Sequence, residues 1–296
     1  LLIYLLILFS FSVFFLNEKH VVENDSTISE WIINYAGGFT KRGIIGQINV
    51  YLSYLFKINL RDSILILQIL ILLTYFLSLY FFFKNIKINK LMMLSIFTPI
   101  FILYPVAEIE VLARKEIFIF CIFLTYLTIE QYKFKIIYKV FLLPLAILIW
   151  EPVIFFIPFW IALDIINHKL SNFREIIYKI LPSFLPSLSV ALYIITNPIS
   201  LDNHQILSEF LKNEFNEICY MSCALLKNKS TIYQQFYGNF HKYSFEVFLR
   251  YFLIIIIGFG PLFILSFNSK INVKNLFFFK SFSNLLLPIL LLLSPV

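Results

Sequence analysis

Long uninterrupted apolar runs are the dominant pattern along this chain. Hydropathy windows predict membrane segments near residues 1–16, 64–83, 91–106, 116–130, 140–163, 180–197, 246–268 and 283–296. Several runs are long enough to cross a hydrocarbon core about 30 Å thick, and they are too unbroken for barrel strands. Because lipid offers no hydrogen-bond partners to the backbone, the runs are predicted to be helices. The pattern predicts an all-α fold, a polytopic transmembrane helical bundle with about eight membrane segments.

Composition supports the same class of protein. The 296 residues are 60% hydrophobic and 14% charged, with a mean hydropathy of +0.86, whereas about a quarter of the residues in soluble domains are charged. We expect a single integral membrane domain over 1–296, with two long connections at 17–61 and 198–245. The chain starts at Leu1 and stops within the apolar run LLLSPV, so we expect a fragment cut through membrane segments at both ends.

The distribution of basic residues predicts the orientation of the chain. The short links 84–90, 131–139, 164–179 and 269–280 carry twelve Lys or Arg in 44 residues, while the two long connections carry nine in 93. Because cytoplasmic loops are enriched in Lys and Arg, the short links are predicted to be cytoplasmic and the long connections external. The net charge of +7 is then a topology signal, and we expect no nucleic-acid partner.

One apolar run, VFLLPLAILIWEPVIFFIPFWIAL at 140–163, conflicts with strict alternation, because both of its flanking links are basic. Its prolines favour a helix break at Trp150-Glu151-Pro152. Either two half-helices enter and leave from the cytoplasmic side, with Glu151 near the turn, or one kinked helix spans the bilayer. Glu151 is thus predicted at mid-membrane depth, where a carboxylate is functional or is held in a structural salt bridge.

The first external connection concentrates glycine in the stretch NYAGGFTKRGIIG, residues 34–46, which contains four of the seven glycines. Residues 44–57 carry apolar side chains at helical spacing and predict a helix in the membrane interface, and residues 26–36 predict a second, shorter one. Gly37 and Gly38 then form the turn between the two helices, and Gly43 permits a close approach of the backbone. The alternative is an ordinary loop that packs on the bundle.

Two basic pairs lie next to predicted helix starts on this external side. Lys41-Arg42 precede the helix at 44–57, and Arg114-Lys115 precede the apolar run at 116–130. Helix N-termini and cations both favour anions, so the pairs predict a phosphate or diphosphate site, with Glu110 as a candidate general base. The alternatives are a first pair that reaches into the lipid headgroups and a link at 107–116 whose acids and bases neutralise one another.

The second external connection contains Cys219 and Cys223 in the motif CYMSC. In an oxidising compartment the pair is expected to form a disulfide. Free thiols, or a metal site with further ligands such as His204, are the alternatives. The sequence contains no phosphate-binding Walker loop, dinucleotide fingerprint or HExxH motif. We therefore expect no cofactor, and a divalent metal is possible but not indicated.

Three short motifs resemble those of a group of bacterial proteins. The pattern W-x-x-N-Y-A-G-G-F-x-x-R-G at 31–43, with A-R-K-E at 113–116 and E-P at 151–152, is similar to multi-pass proteins of surface-polysaccharide loci. Those proteins look like relatives of Wzy-type O-antigen polymerases or GT-C glycosyltransferases. The resemblance implies a protein of the bacterial cytoplasmic (inner) membrane. GT-C enzymes place a catalytic carboxylate in the first external loop, where Asp25 and Glu30 are the candidates in this chain.

The expected function is therefore the transfer or polymerisation of polyprenyl-phosphate-linked sugars at the outer face of the membrane. Cations would stabilise the departing phosphate, and a carboxylate such as Glu110 or Glu151 would accept the proton of the acceptor hydroxyl. The alternatives are a transporter or flippase for a lipid-linked glycan, in which a broken helix carrying Glu151 is typical, and a non-catalytic membrane assembly partner. Membrane lipids and the polyprenyl-(di)phosphate-linked glycan are the expected partners, and the sequence does not indicate the oligomeric state.

Overall fold

A computed structural model describes residues 1–22, 26–84, 114–168, 177–227 and 244–268, with the isolated positions 86, 89–90, 93–94, 106 and 112. These residues form helices and turns and no strand, which confirms the all-α prediction for the described part of the chain. The helices named below are α1 (Leu2–Val21), α2 (Ser26–Ser29), α3 (Gly43–Phe56), α4 (Leu60–Lys84), α5 (Ile117–Thr128), α6 (Tyr132–Ile149), α7 (Ile157–His168), α8 (Leu185–Thr196), α9 (Leu201–Phe215) and α10 (Phe245–Asn268). Short 3-10 helices cover Glu151–Phe156, Leu181–Phe184 and Ala224–Lys227.

The chain divides into two compact units. The first contains residues 1–85, 108–154 and 183–229, and the second contains 86–107, 155–182 and 230–296. Helices α1 to α6, α8 and α9 belong to the first unit, and α7 and α10 belong to the second. The candidate site lies wholly within the first unit.

In the first unit α1 packs on α4, α4 on α5, α5 on α6, and α6 on α8. The end of α1 lies beside the start of α4, because the Arg61 guanidinium donates from Nη1 to the carbonyl oxygens of His20 and Val22 (3.2 and 3.1 Å). Helices α5 and α6 form an antiparallel hairpin in which the Tyr138 hydroxyl donates to the Ile122 carbonyl oxygen (2.7 Å). These helices form the bundle.

One end of the bundle is covered by residues 26–42, α3 and α9, which we call the cap. Helix α3 packs on α4 and α6, and the Ser63 hydroxyl in the first turn of α4 donates to the Asn49 carbonyl oxygen (3.2 Å). The side chains of Trp31, Ile32 and Ile33 are fully buried. The cap is therefore a packed layer rather than a solvated loop.

The helices of the first unit expose many large apolar side chains and bury several polar ones. In α3 the buried face includes Gly46, Asn49 and Ser53, while Ile48, Tyr51, Leu55 and Phe56 are exposed. In the bundle helices α1 and α4, Ser12, Ser63 and Gln68 are buried among apolar residues. The exposed side chains of these two helices include Leu6, Ile7, Phe11, Phe14, Ile66, Leu70, Leu73, Leu77 and Phe81.

Two of the described helices, α1 and α4, are long and apolar enough to cross a membrane. Helices α8 and α9, which meet at a bend of 96°, add a third if they are one broken span. This number is smaller than the eight predicted. The predicted segment at 283–296 and most of that at 91–106 lie outside the described residues. Helix α5, at 12 residues, is short, and α6 includes three lysines within its length.

The break predicted at Trp150-Glu151-Pro152 is confirmed. Helix α6 ends at Ile149, Trp150 has extended backbone dihedrals (φ −153°, ψ 105°), and a 3-10 helix begins at Glu151. The predicted start of this helix at residue 140 is wrong, because α6 begins at Tyr132 and spans 18 residues, about 27 Å. Its lysines do not mark a loop: Lys139 is buried, with Nζ 5.1 Å from the centre of the Phe184 ring.

The two helices predicted in the first connection have different outcomes. The helix predicted at 44–57 is α3, Gly43–Phe56. The helix predicted at 26–36 is limited to the single turn Ser26–Ser29. Residues 30–42 are turns and irregular backbone, because the Asn34 side chain bonds locally: its Oδ1 accepts from the Ala36 amide (2.8 Å) and its Nδ2 donates to the Ile32 carbonyl (3.2 Å).

Candidate functional site

Arg42 lies at the centre of the cap, in an unusual backbone conformation. It precedes the first residue of α3 with φ 64° and ψ 7°, in the left-handed region that non-glycine residues seldom adopt. The Lys115 ammonium donates to the Arg42 carbonyl oxygen (2.8 Å). This conformation costs about 1 kcal/mol or more and persists only where the surroundings hold it. The buried Lys115 is one contact that does so.

The Arg42 guanidinium joins two glutamates from distant parts of the chain. Its Nε and Nη2 donate to the two carboxylate oxygens of Glu151 (2.6 and 2.8 Å), and its Nη1 donates to Glu30 Oε1 (3.0 Å). Lys41 Nζ lies 3.4 Å from Glu151 Oε1. Both glutamates are thus held by the first basic pair.

The second basic pair reaches the same place. Arg114 Nη2 lies 3.5 Å from Glu30 Oε1, and Arg114 Nε lies 3.6 Å from Glu116 Oε1, longer than a hydrogen bond. Lys115 is fully buried, and its ammonium also lies 6.0 Å from the centre of the Trp31 ring. The two basic pairs therefore meet around Glu30. We call Glu30, Lys41, Arg42, Arg114, Lys115, Glu116 and Glu151 the charged cluster.

The charged cluster has a buried side and an open side. The side chain of Glu30 is 2% exposed, whereas those of Glu151 and Lys41 are 25% and 44% exposed. Glu30 Oε2, Arg114 Nε and Glu116 Oε2 are buried and have no hydrogen-bond partner among the described residues. Buried polar atoms without partners are uncommon and indicate a ligand, a water or a functional constraint. The cluster thus retains unused bonding capacity.

Two of the cations have shifted pKa values. Burial alone would lower the pKa of Arg42, but the carboxylates of Glu151 and Glu30 outweigh it and raise the pKa above its ordinary value. Burial lowers the pKa of Lys115 to about 7. The nearby Arg42 cation lowers this pKa further, and the Glu30 carboxylate opposes the shift without cancelling it. Arg42 is therefore a permanent cation, while Lys115 changes its charge near neutral pH.

The predicted backbone roles of three glycines have a physical basis in the cap. Gly38 adopts φ +94°, and its amide donates to the Tyr35 carbonyl oxygen (2.9 Å) in a turn. A Cβ on Gly37 would lie 1.9 Å from the Asn203 carbonyl oxygen of α9, and one on Gly43 would lie 2.3 Å from the Tyr35 ring. The turn does not join two helices as predicted. It lets α9 lie directly on the loop that carries Arg42.

Cys219 and Cys223 form a disulfide in the structure. The five-residue loop that it closes places Ser222 Oγ 3.4 Å from Glu30 Oε1, at the edge of the charged cluster. His204 Nε2 lies 3.5 Å from Cys219 Sγ and 3.0 Å from the Cys223 carbonyl oxygen. Together these three residues are a group that could hold a metal ion, but the disulfide uses both sulfurs.

Some of the predicted site residues lie outside the described residues, namely Asp25 and Glu110. Lys41, Arg42, Arg114, Lys115 and Glu151 all belong to the charged cluster. Glu151 was predicted at mid-membrane depth and Lys41-Arg42 outside the membrane, but the structure brings their side chains into contact. The cause is the early start of α6, which carries Glu151 to the capped end of the bundle.

Sequence reasoning missed Glu116 and Ser222 and gave Glu30 no partner. Glu30 is the single charge in the run ISEWII, whose apolar residues are buried. A lone carboxylate in a short apolar run is a signal for a buried, paired acid. No comparable signal marks Ser222, because the disulfide loop brings it to Glu30 from 192 residues away.

A groove of about 530 Å³ lies elsewhere, at the turn between α5 and α6. Apolar side chains dominate its lining, with Glu130 as the one charge there. It lacks the cations that phosphate recognition requires. The charged cluster is therefore the better candidate site in the described part of the chain.

Comparison of the chain with models of known protein families, with curated proteins and with solved structures finds no match. The candidate function must therefore be argued from the chemistry of the cluster.

Proposed function

We propose that this chain is an integral protein of the bacterial inner membrane, with about eight membrane segments and its capped end outside the cytoplasm. The large apolar side chains exposed on α1, α3 and α4 support the proposal, because apolar side chains face outwards in lipid. The exposed apolar face of α3 suits the boundary between headgroups and acyl chains. The charged cluster then lies at the level where the phosphate of a lipid-linked sugar is found.

At this site we propose the transfer or polymerisation of polyprenyl-(di)phosphate-linked sugars. The observation that carries the proposal is the meeting of Lys41-Arg42 and Arg114-Lys115 around Glu30 at the end of apolar helices. The two arginines can bind phosphate oxygens with a planar fork of N–H donors, and the two lysines provide point charges. Stabilisation of the departing phosphate is the main electrostatic requirement of such a transfer.

The reaction also needs a group that accepts a proton. The acceptor hydroxyl attacks the anomeric carbon of the donor sugar, the bond from that carbon to the phosphate oxygen breaks, and the hydroxyl proton passes to a base. Glu30 is the candidate base in the cluster, because its Oε2 accepts no hydrogen bond from the described residues. Glu110 remains a candidate from the sequence.

The contacts of Glu151 favour the transfer reaction over the transporter alternative. Transport was suggested by a carboxylate near the middle of the membrane in a broken helix. Glu151 instead contacts Arg42 and Lys41. An enzyme whose carboxylates and cations share one site fits this arrangement better.

The test is the length of the surface glycan in cells of the native bacterium that carry Arg42→Ala, with Arg61→Ala as the matched control. We expect Arg42→Ala to remove long glycan chains and Arg61→Ala to retain them at equal protein level. Unchanged chains in Arg42→Ala cells at normal protein level would refute the proposal.

A second measurement separates transfer from transport. When transfer fails, the lipid-linked sugar accumulates at the outer face, where a membrane-impermeant oxidant reaches it. When transport fails, the sugar accumulates at the inner face and is protected from the oxidant. We expect the Arg42→Ala cells to show the oxidant-sensitive pool.

A further inference from the structure

We infer that the Glu151 carboxylate occupies the place of the substrate phosphate on Arg42 and leaves it when a lipid-linked phosphate binds. This inference rests on the proposed function and adds a regulation of the same site. Its starting point is geometric. The Arg42 fork that would hold two phosphate oxygens already holds both oxygens of Glu151, at 2.6 and 2.8 Å. Bidentate binding of this kind suits carboxylate and phosphate alike.

The two glutamates on Arg42 differ in their freedom to move. Glu30 is 2% exposed and has Arg114 and Ser222 as further neighbours. Glu151 is 25% exposed, and the structure places it in the first turn after the break at Trp150. A change of side-chain rotamer can therefore carry the Glu151 carboxylate to solvent, while Glu30 stays. The exchangeable partner of Arg42 is Glu151.

The charges of the cluster fit this exchange. With Glu151 in place, four cations face three carboxylates, a surplus of one positive charge when Lys115 is protonated. With Glu151 turned to solvent, four cations face two carboxylates, a surplus of two. The diphosphate of a lipid-linked sugar is esterified at both ends and keeps one ionised oxygen on each phosphorus, so it carries about −2 charges at neutral pH. The dianion thus neutralises the cluster that Glu151 has left, and Arg42 is not left unpaired in either state.

The exchange predicts that Glu151 lowers the affinity for phosphate. A carboxylate tethered beside Arg42 competes with the ligand, and the apparent dissociation constant rises by the inverse of the fraction of open sites. If Glu151 were instead a structural anchor that holds Arg42 in its binding position, its removal would weaken binding. The effect of one substitution on affinity therefore separates the roles.

The experiment measures binding of inorganic pyrophosphate and of farnesyl diphosphate to the purified full chain in detergent micelles, by titration calorimetry. We expect Glu151→Gln to bind both probes about tenfold more tightly than the wild type. Glu151→Asp keeps the charge but draws the carboxylate back by one methylene, so we expect a smaller gain. That gain would not come from net charge. Tighter binding of farnesyl diphosphate than of pyrophosphate identifies a lipid as the source of the phosphate.

Two variants serve as controls. Glu217→Gln removes the same charge from the other bidentate arginine–glutamate pair of this unit, and we expect no change in affinity. Arg42→Ala is expected to weaken binding about tenfold or more. The Glu151→Asp variant also tests the inference if Glu151→Gln does not fold.

The outcomes are distinct. If both Glu151 variants bind as weakly as the wild type or more weakly, while Arg42→Ala loses binding, the exchange is refuted and the phosphate site stands. If neither probe binds to the wild type or to any variant, the phosphate site and the proposed function fail together.

Discussion

Two arginines of the first unit hold glutamates in the same bidentate manner, and the difference between them separates a structural contact from a candidate binding site. Arg61 donates from Nε and Nη2 to the two oxygens of Glu217, which follows α9. Its Nη1 donates to the carbonyl oxygens at the end of α1. Arg61 therefore joins α1, α4 and the segment after α9, and its partners include neutral carbonyl groups.

Arg42 is surrounded by charged groups instead. Its Nη1 shares Glu30 Oε1 with Arg114, Lys115 holds its carbonyl oxygen, and Lys41 approaches Glu151. Three buried polar atoms of the charged cluster have no partner among the described residues. A structural pair needs one cation, one anion and satisfied donors, as at Arg61. The surplus of cations, with Arg114 Nε as an unused donor, is the arrangement expected of a site that awaits an anion, and the unused oxygens of Glu30 and Glu116 can accept hydrogen bonds from hydroxyl groups.

The largest difference between the Arg42 and Arg61 sites is expected in the stability lost when the buried glutamate of each site is truncated to alanine. Glu30→Ala leaves Arg42 and Arg114 without their shared carboxylate and should lower the free energy of unfolding by about 4 kcal/mol. Glu217→Ala should cost about 2 kcal/mol, because Arg61 keeps two carbonyl acceptors. Unfolding in mixed detergent micelles, followed by tryptophan fluorescence, measures both. Equal losses would contradict the distinction between the two regions.

The pH dependence of stability should come from the charged cluster. Lys115 has a pKa of about 7 in the folded chain and 10.5 as its ordinary value. Between these values the unfolded chain binds the proton and the folded chain does not. The free energy of unfolding should therefore rise with pH across this window, by up to about 1.4 kcal/mol per pH unit. Below pH 7 both states are protonated and the burial penalty is at its full size.

The matched comparison is Lys115→Met with Lys212→Met, which removes an exposed lysine from α9. Stability curves from pH 6 to pH 10 should lose their rise in Lys115→Met and keep it in Lys212→Met. Parallel curves for Lys115→Met and the wild type would show that Lys115 remains protonated in the fold.

Removal of the disulfide should have an intermediate effect. Cys219 and Cys223 are four residues apart, and closing so short a loop stabilises a chain by about 2 kcal/mol in the loop-entropy account. The Cys219→Ser/Cys223→Ser double variant should lose this amount and become insensitive to a reductant. Pyrophosphate binding should persist, since the contact of the loop with the cluster is the 3.4 Å approach of the Ser222 hydroxyl to Glu30. A loss of binding would give the loop a larger role at the site.

Local backbone chemistry was the predictable part of this fold. Pro152 has no amide hydrogen to continue α6, which predicted a break at Trp150-Glu151, and the structure places the extended residue at Trp150, two positions before the proline. The apolar period of residues 44–57 predicted α3, and the spacing of Cys219 and Cys223 allowed a disulfide.

Tertiary pairing was the part that sequence could not supply. Lysines at 133, 135 and 139 resemble a cytoplasmic link, yet lysine is also a good helix former. The structure includes all three in α6, and Lys139 is buried there against the ring of Phe184. The meeting of the basic pairs depends on Glu30, which lies 12 residues before Arg42 and 84 before Arg114. No spacing rule connects those positions.

The smallest effect on stability is expected at the contact between His20 and Asp62, next to Arg61 in the sequence. His20 Nε2 lies 3.0 Å from Asp62 Oδ1, but the Asp62 side chain is 53% exposed, and exposed ion pairs contribute about 0.2–1 kcal/mol. Asp62→Asn should lower the free energy of unfolding by about 0.5 kcal/mol or less and leave the pH slope intact. A loss as large as that of Glu217→Ala would mean that Asp62 supports Arg61 through the end of α1. The structural pair would then be a network like the charged cluster, and partner count alone would not distinguish a binding site from a structural contact.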